Sequence, residues 1–298
     1  MARSPILLLN DQIVRAPFTV AQEKAGLCAE HRDDHKIECV YVDEPRFGVR
    51  VRRRTDCMGH EIVLPIAALE YLWAFSHYSW VLTQEYASAQ RTGATEFDCV
   101  GNERLRESFA VLEWAKNNLN GSGAEAWPLM GPRPKQDVHS MDDARVATEL
   151  FLCALGWIIH HEFGHVVLKH PLGINTFSIQ QEREADRYAT DWLLEGLDQH
   201  DPRLKKRALG LAIAVLCLQS LEVESACLRN THPGAHQRID ENTARYKHDD
   251  HEVIEATCAV VLQYLFHETG PTANVDGATF SEILADLLFD VARSKDNS

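Results

Sequence analysis

Two histidines and a glutamate stand in the order His161-Glu162-Phe163-Gly164-His165. On a helix, residues four apart lie about 40° from each other around the axis. Both imidazoles then point to one side and can share one tetrahedral Zn²⁺, with Glu162 as general base beside a fourth, water-occupied position. The flanks Leu155-Gly-Trp-Ile-Ile159 and Val166-Val-Leu168 are apolar at helical spacing. Ionisable groups in such a helix are costly without partners, and a metal supplies one. The competing reading is a pair of hydrogen-bonded core histidines with a capped glutamate, and in a chain with 15 histidines the pentapeptide alone does not decide between them.

A catalytic zinc takes a third protein ligand, and Glu182-Arg-Glu-Ala-Asp186 offers two glutamates. At about 100° per residue, Glu182 shares a sector with Ala185, Ala189 and Leu193, the apolar stripe. Glu184 falls with Asp191 and Glu195 on the charged face. Glu182 is therefore the expected ligand and Glu184 a solvated residue. Asp186, one turn after Glu182, is placed to accept a hydrogen bond from a zinc histidine and fix its tautomer; the alternative is a surface carboxylate paired to Arg183 or a lysine. Downstream, Thr231-His232-Pro-Gly-Ala-His-Gln-Arg238-Ile239 turns into a helix. His232 at that helix start can project into a cleft and Arg238 can turn back toward it, although taken alone the segment reads better as a plain structural turn.

The elements that must position these residues are legible in the periodicity. Ile37 to Val42, Phe47 to Arg52 and Glu61 to Leu64 alternate as three short strands, expected to be antiparallel. From Pro65 to about Ser88 the pattern is that of a long aromatic helix with proline in its first turn, expected in the core. Residues 120 to 145, rich in Gly, Pro, Ser and Asp, read as a loop. Helices are expected over Ala144 to His170, Gln181 to Leu197, Leu204 to Ala226, Ala235 to Arg245, His251 to Phe266 and Phe280 to Ser294. The expected architecture is α+β and predominantly helical, a zincin-like single domain over 1–298 with a short N-terminal antiparallel sheet. Its possible subdivision is an N-terminal part over 1–140 and a helical catalytic part over 141–298.

Composition excludes several classes. With 45% hydrophobic and 25% charged residues the 298-residue chain can bury a full core. A net charge of −14 repels phosphate backbones and argues against nucleic acid or anionic membrane as the main partner. Eight cysteines with no C-x-x-C pair, several inside apolar runs, read as reduced thiols of a cytoplasmic protein. The N-terminus is too polar for a signal peptide, and no run reaches the roughly 18 apolar residues of a membrane span. Gly121-Ser-Gly123 lacks the following lysine of a phosphate loop. The cluster Arg50, Arg52, Arg53 and Arg54 reads as the solvated face and end of a strand.

The ordered set H-E-x-x-H, E-x-x-x-D and H-P-x-x-x-x-R-I resembles the gluzincin metallopeptidases, in particular the prenyl-protein and HtpX-like membrane peptidases. That resemblance implies His161, His165 and Glu182 as zinc ligands, Glu162 as the base, and His232 and Arg238 as contacts to the substrate carbonyl and chain. The chain differs from that group in lacking membrane helices and in placing Glu182 only 17 positions after His165.

A fuller resemblance runs through Glu61-Ile-Val-Leu64, Leu69-Glu-Tyr-Leu-Trp-Ala-Phe-Ser76, Thr83-Gln-Glu-Tyr86, Lys205-Lys-Arg-Ala-Leu-Gly210, Leu218-Gln-Ser-Leu-Glu-Val-Glu224 and Leu262-Gln-Tyr-Leu-Phe-His267. These segments are similar to the Lit family of phage-exclusion (abortive infection) peptidases. The resemblance implies a latent zinc endopeptidase, triggered by a phage head-protein peptide, that cuts translation elongation factor Tu and stops protein synthesis. Two rivals are a repressor-cutting peptidase of the ImmA/IrrE kind and a non-catalytic zinc-stabilised module that binds a translation factor.

Overall fold

The computed structural model describes residues 4–56, 58–94, 97–121, 126–136, 142–172, 177–224, 234–243, 251–265 and 279–296. The chain opens with a 3₁₀ turn, Pro5–Leu9, then α1 (Asn10–Thr19) and α2 (Ala25–Asp34). Strands β1 (Ile37–Val42), β2 (Arg50–Arg53) and β3 (His60–Pro65) follow. The remaining elements are helical: α3 (Ile66–Arg91), α4 (Glu103–Leu119), α5 (Asp143–Val167), α6 (Ile179–Leu194), α7 (Pro202–Glu224), α8 (Ala235–Thr243), α9 (His251–Leu265) and α10 (Phe280–Asp296). The α+β, mainly helical class expected from periodicity holds. Helices α1, α2 and α4 are additional to the elements expected.

The sheet corrects one expectation, because it is mixed rather than antiparallel throughout. Its order is β1-β3-β2, with β3 parallel to β1 and antiparallel to β2. The reason lies in side-chain chemistry. Ile62, Val63 and Leu64 are consecutive and all buried, as a central strand requires, whereas β2 exposes Arg52 and Arg53 and so suits an edge. Three successive strands alternate in direction, and placing the third in the middle makes it parallel to the first.

Strand β3 runs into α3 without a loop. Pro65 is the last residue of the strand and the cap of the helix, at φ −64° and ψ 130°, so it stands just ahead of the first turn rather than inside it. The aromatic face of α3 is core: Tyr71, Trp73 and Phe75 are buried.

Helix α5 is the centre of the molecule, packed on α1, α3, α6 and α7 and touching β2. It starts at Asp142, whose side chain accepts the Arg145 N–H, an N-cap that satisfies one of the orphan donors of a first turn. This helix is long and apolar enough to cross a membrane, but 89% of its most apolar stretch is buried inside the fold. Two glycines let neighbours come close to it. A Cβ on Gly164 would stand 3.2 Å from Ala185 Cα of α6, and one on Gly210 of α7 would stand 2.3 Å from Cys153 Cβ. Among the described residues, Cys28, Cys39, Cys99, Cys153, Cys217 and Cys258 are all free thiols.

Candidate metal centre

The end of α5 brings the chemistry together. His161 and His165 sit in its last two turns, 6% and 1% exposed. Helix α6 approaches across Gly164 and begins with a capping box, in which Ser178 and Gln181 exchange side-chain and backbone hydrogen bonds. That start sets the first turn of α6 against α5 and carries in Glu182, itself 1% exposed. His161, His165 and Glu182 can each offer one ligand atom, all within 4.8 Å of one another.

The distances test whether a metal fits. Ligand atoms about 2.0–2.2 Å from a tetrahedral zinc lie about 3.3–3.6 Å apart. Here His161 Nε2 is 3.1 Å from His165 Nε2 and 3.3 Å from Glu182 Oε2, and His165 Nε2 is 3.7 Å from Glu182 Oε1. Nitrogen, nitrogen and carboxylate oxygen are also a donor set that suits zinc. The cluster fits a divalent cation in size and chemistry. It draws positive charge in any case: although burial alone would lower it, hydrogen bonds to Asp186 and Glu182 push His161 up to about 10.

Asp186 orients one of these rings. Its Oδ1 accepts from His161 Nδ1 at 2.8 Å, which holds the Nδ1 proton toward the carboxylate and turns Nε2, the atom that would ligate, toward His165 and Glu182. Asp186 is held in turn by Arg238, whose Nε donates to Oδ2 at 2.7 Å and whose Nη2 donates to Oδ1. Burial would raise the Asp186 carboxyl, but Arg238 and His161 outweigh it and hold it well below the usual carboxylate range. Arg238 is 4% exposed and also lies over the Trp157 ring. The structure thus places Arg238 on Asp186, whereas the gluzincin resemblance implies a contact to the substrate chain. His232 lies outside the described residues.

Glu162 is 8% exposed, and its Oε2 accepts the Val51 backbone N–H at 2.7 Å. Burial pushes its carboxyl up to about 7, against the lowering by His161 and by the Val51 N–H. A base near that value suits proton transfer at neutral pH. The Val51 amide is free to reach Glu162 because β2 is an edge strand. Its pairing with β3 runs through the other side of the strand.

The sequence pattern of the Peptidase U49 family matches residues 62–258. The chain belongs to this family. It is also 50% identical over 296 residues to the "Cell death peptidase" of Escherichia coli (strain K12), covering 99% of this chain and 100% of that one. No solved structure matches it. The Lit-type resemblance is thereby established, and with it a protease.

In this Peptidase U49 chain two contributors to the site carry no sequence signal that points to the metal. One is the Val51 amide, a backbone group. The other is His170, which follows the helix end. Its Nδ1 is 2.9 Å from His165 Nδ1, and its Nε2 is 3.1 Å from Glu184 Oε2. Phe177 stacks on the His165 ring with centroids 3.7 Å apart. Glu184 is on the outer face of α6 as expected, with 44% of its side chain exposed, but it has this inward partner.

Proposed function

We propose that the chain is a zinc-dependent endopeptidase of the cytoplasm that stays latent until phage infection. It then cuts translation elongation factor Tu once, when a phage head-protein peptide is bound to that factor, and so stops protein synthesis. The observation that carries the metal-dependent reaction is the buried cluster of His161, His165 and Glu182 with Glu162 alongside. The name of the E. coli relative supports a substrate whose loss is lethal to the cell.

A bound zinc would sit on His161, His165 and Glu182 and supply a Lewis acid for water and the scissile carbonyl. The work of the protein groups follows from their positions. Val51 N–H anchors Glu162 Oε2, leaving Oε1 to take the proton of the attacking water and return it to the leaving amine. Asp186 and Arg238 keep His161 in the ligating tautomer. The outward edge of β2, beside Glu162, offers backbone groups that can pair with an extended peptide. His232 is assigned to the scissile carbonyl on the family resemblance alone.

The test is incubation of zinc-loaded protein with elongation factor Tu, with and without a phage head-protein peptide, read by intact mass. A single cut that needs both the peptide and Glu162 supports the reading. No cut, with one zinc bound, overturns the substrate while keeping the metallopeptidase, and no zinc overturns the metal centre.

A further inference from the structure

The two histidines of the centre are oriented by different means. His161 has a carboxylate against its Nδ1. His165 has another histidine there, and an imidazole nitrogen can be donor or acceptor. What decides is the far side of His170. Its Nε2 faces Glu184 Oε2 at 3.1 Å, and an ionised carboxylate only accepts. The proton of neutral His170 therefore sits on Nε2, its Nδ1 is the acceptor, and His165 must donate from Nδ1. His165 Nε2 is left as a lone pair, 3.1 Å from His161 Nε2.

The backbone builds this contact deliberately. Helix α5 ends in a Schellman motif, with Lys169 N–H bonded to Val166 O and His170 N–H bonded to His165 O. Lys169 takes φ +59°, a left-handed conformation that is uncommon for a residue with a side chain. The turn folds His170 back beside His165 and buries it to 8% exposure, and Pro171 prevents the helix from continuing. Gln180 Nε2 donates to the other Glu184 oxygen at 2.9 Å, so the carboxylate is steadied from its own helix.

We infer that His170 and Glu184 are positioning residues for the metal. Glu184 fixes the His170 tautomer, and His170 fixes His165 with Nε2 ready to ligate. The inference rests on the metallopeptidase reading, and its test separates the two.

Zinc affinity is measured by competition with a chromophoric chelator, alongside urea unfolding of the metal-free protein. His170→Phe is expected to weaken zinc binding by roughly 10- to 100-fold. His170→Asn, whose carbonyl can accept from His165 Nδ1, is expected to recover most of that loss. Glu184→Ala, at a half-exposed position that does not threaten folding, is expected to weaken zinc several-fold, while Glu184→Gln keeps an acceptor and stays near wild type. Nitrogen NMR of labelled histidine in the metal-free wild-type protein reads the tautomers directly, with protons expected on His165 Nδ1 and His170 Nε2. Zinc affinity within twofold of wild type in Glu184→Ala and His170→Phe overturns the inference alone, as does a neutral His165 carrying its proton on Nε2. A wild-type protein that takes no zinc overturns the metal centre and this inference together.

Discussion

Arg238 and Glu162 make opposite demands at the level of single residues. Glu162 is the proposed general base, so Glu162→Gln is expected to reduce proteolysis by at least about 10²-fold. One zinc should remain bound and the unfolding midpoint should stay nearly unchanged. Residual cleavage at the wild-type rate would remove Glu162 from the mechanism. Arg238 instead neutralises a buried carboxylate. Breaking one partner of a buried pair costs about 3–5 kcal/mol, because the other is left without its counter-charge. Arg238→Gln is therefore expected to unfold at much lower urea and to hold zinc less tightly through the loosened Asp186 and His161. A variant with wild-type stability and a raised KM would place Arg238 on the substrate instead.

At the level of elements, the site depends on how closely α6 and α7 approach α5. Gly210 lets α7 lie against Cys153, where an added Cβ would come within 2.3 Å of Cys153 Cβ and 3.2 Å of the Ala154 backbone nitrogen. No flexible side chain can swing away there. Gly210→Ala is expected to destabilise the fold by about 1–3 kcal/mol, the range for overpacking a filled core, although alanine is the better helix former. Urea unfolding checks this, and a neutral or stabilised variant would mean that α5 and α7 are farther apart. The helices themselves could be anticipated from periodic apolar residues because helical contacts are local. Helix α4 carries the same local signal, with Leu105, Leu112, Ala115 and Leu119 at helical spacing behind the Asn102 cap, and that buried side packs against α3.

For the whole molecule, buried neutral histidines tie stability to pH. His77 of α3 shares a 2.8 Å hydrogen bond with Ser108 of α4, and burial lowers it from 6.5 to about 4. His160 of α5, bonded to Pro17 O and stacked on Trp192, is likewise lowered by burial to about 3. In the unfolded chain both gain a proton near pH 6.5, and in the folded protein they do not. The stability these two histidines contribute is therefore complete above pH 6.5 and falls as the pH drops toward 4 for His77 and toward 3 for His160. By pH 5 the His77 contribution alone amounts to a loss of about 2 kcal/mol. In urea titrations at pH 7 and pH 5 the wild-type protein should lose about that much more stability than His77→Asn does. An equal loss in the two proteins would mean that folded His77 is already protonated.

The sequence by itself determined what depends on near neighbours in the chain. The i, i+4 histidines with their glutamate needed only helical geometry, and the choice of Glu182 over Glu184 needed only the apolar stripe of one helix. The segments shared with the Lit-type family reached further, to a protease, because they span most of the chain. Tertiary structure decided whatever lacks a local signature. The order β1-β3-β2 depends on which strand the core covers on both faces, and that order frees the edge from which Val51 meets Glu162. His170 sits beside His165 only because Lys169 turns left-handed, and Arg238 sits on Asp186 only because α8 packs over α6 and α7. A pattern of residue types records which groups are available, whereas their pairing across distant elements is set by packing and by the need to satisfy every buried charge.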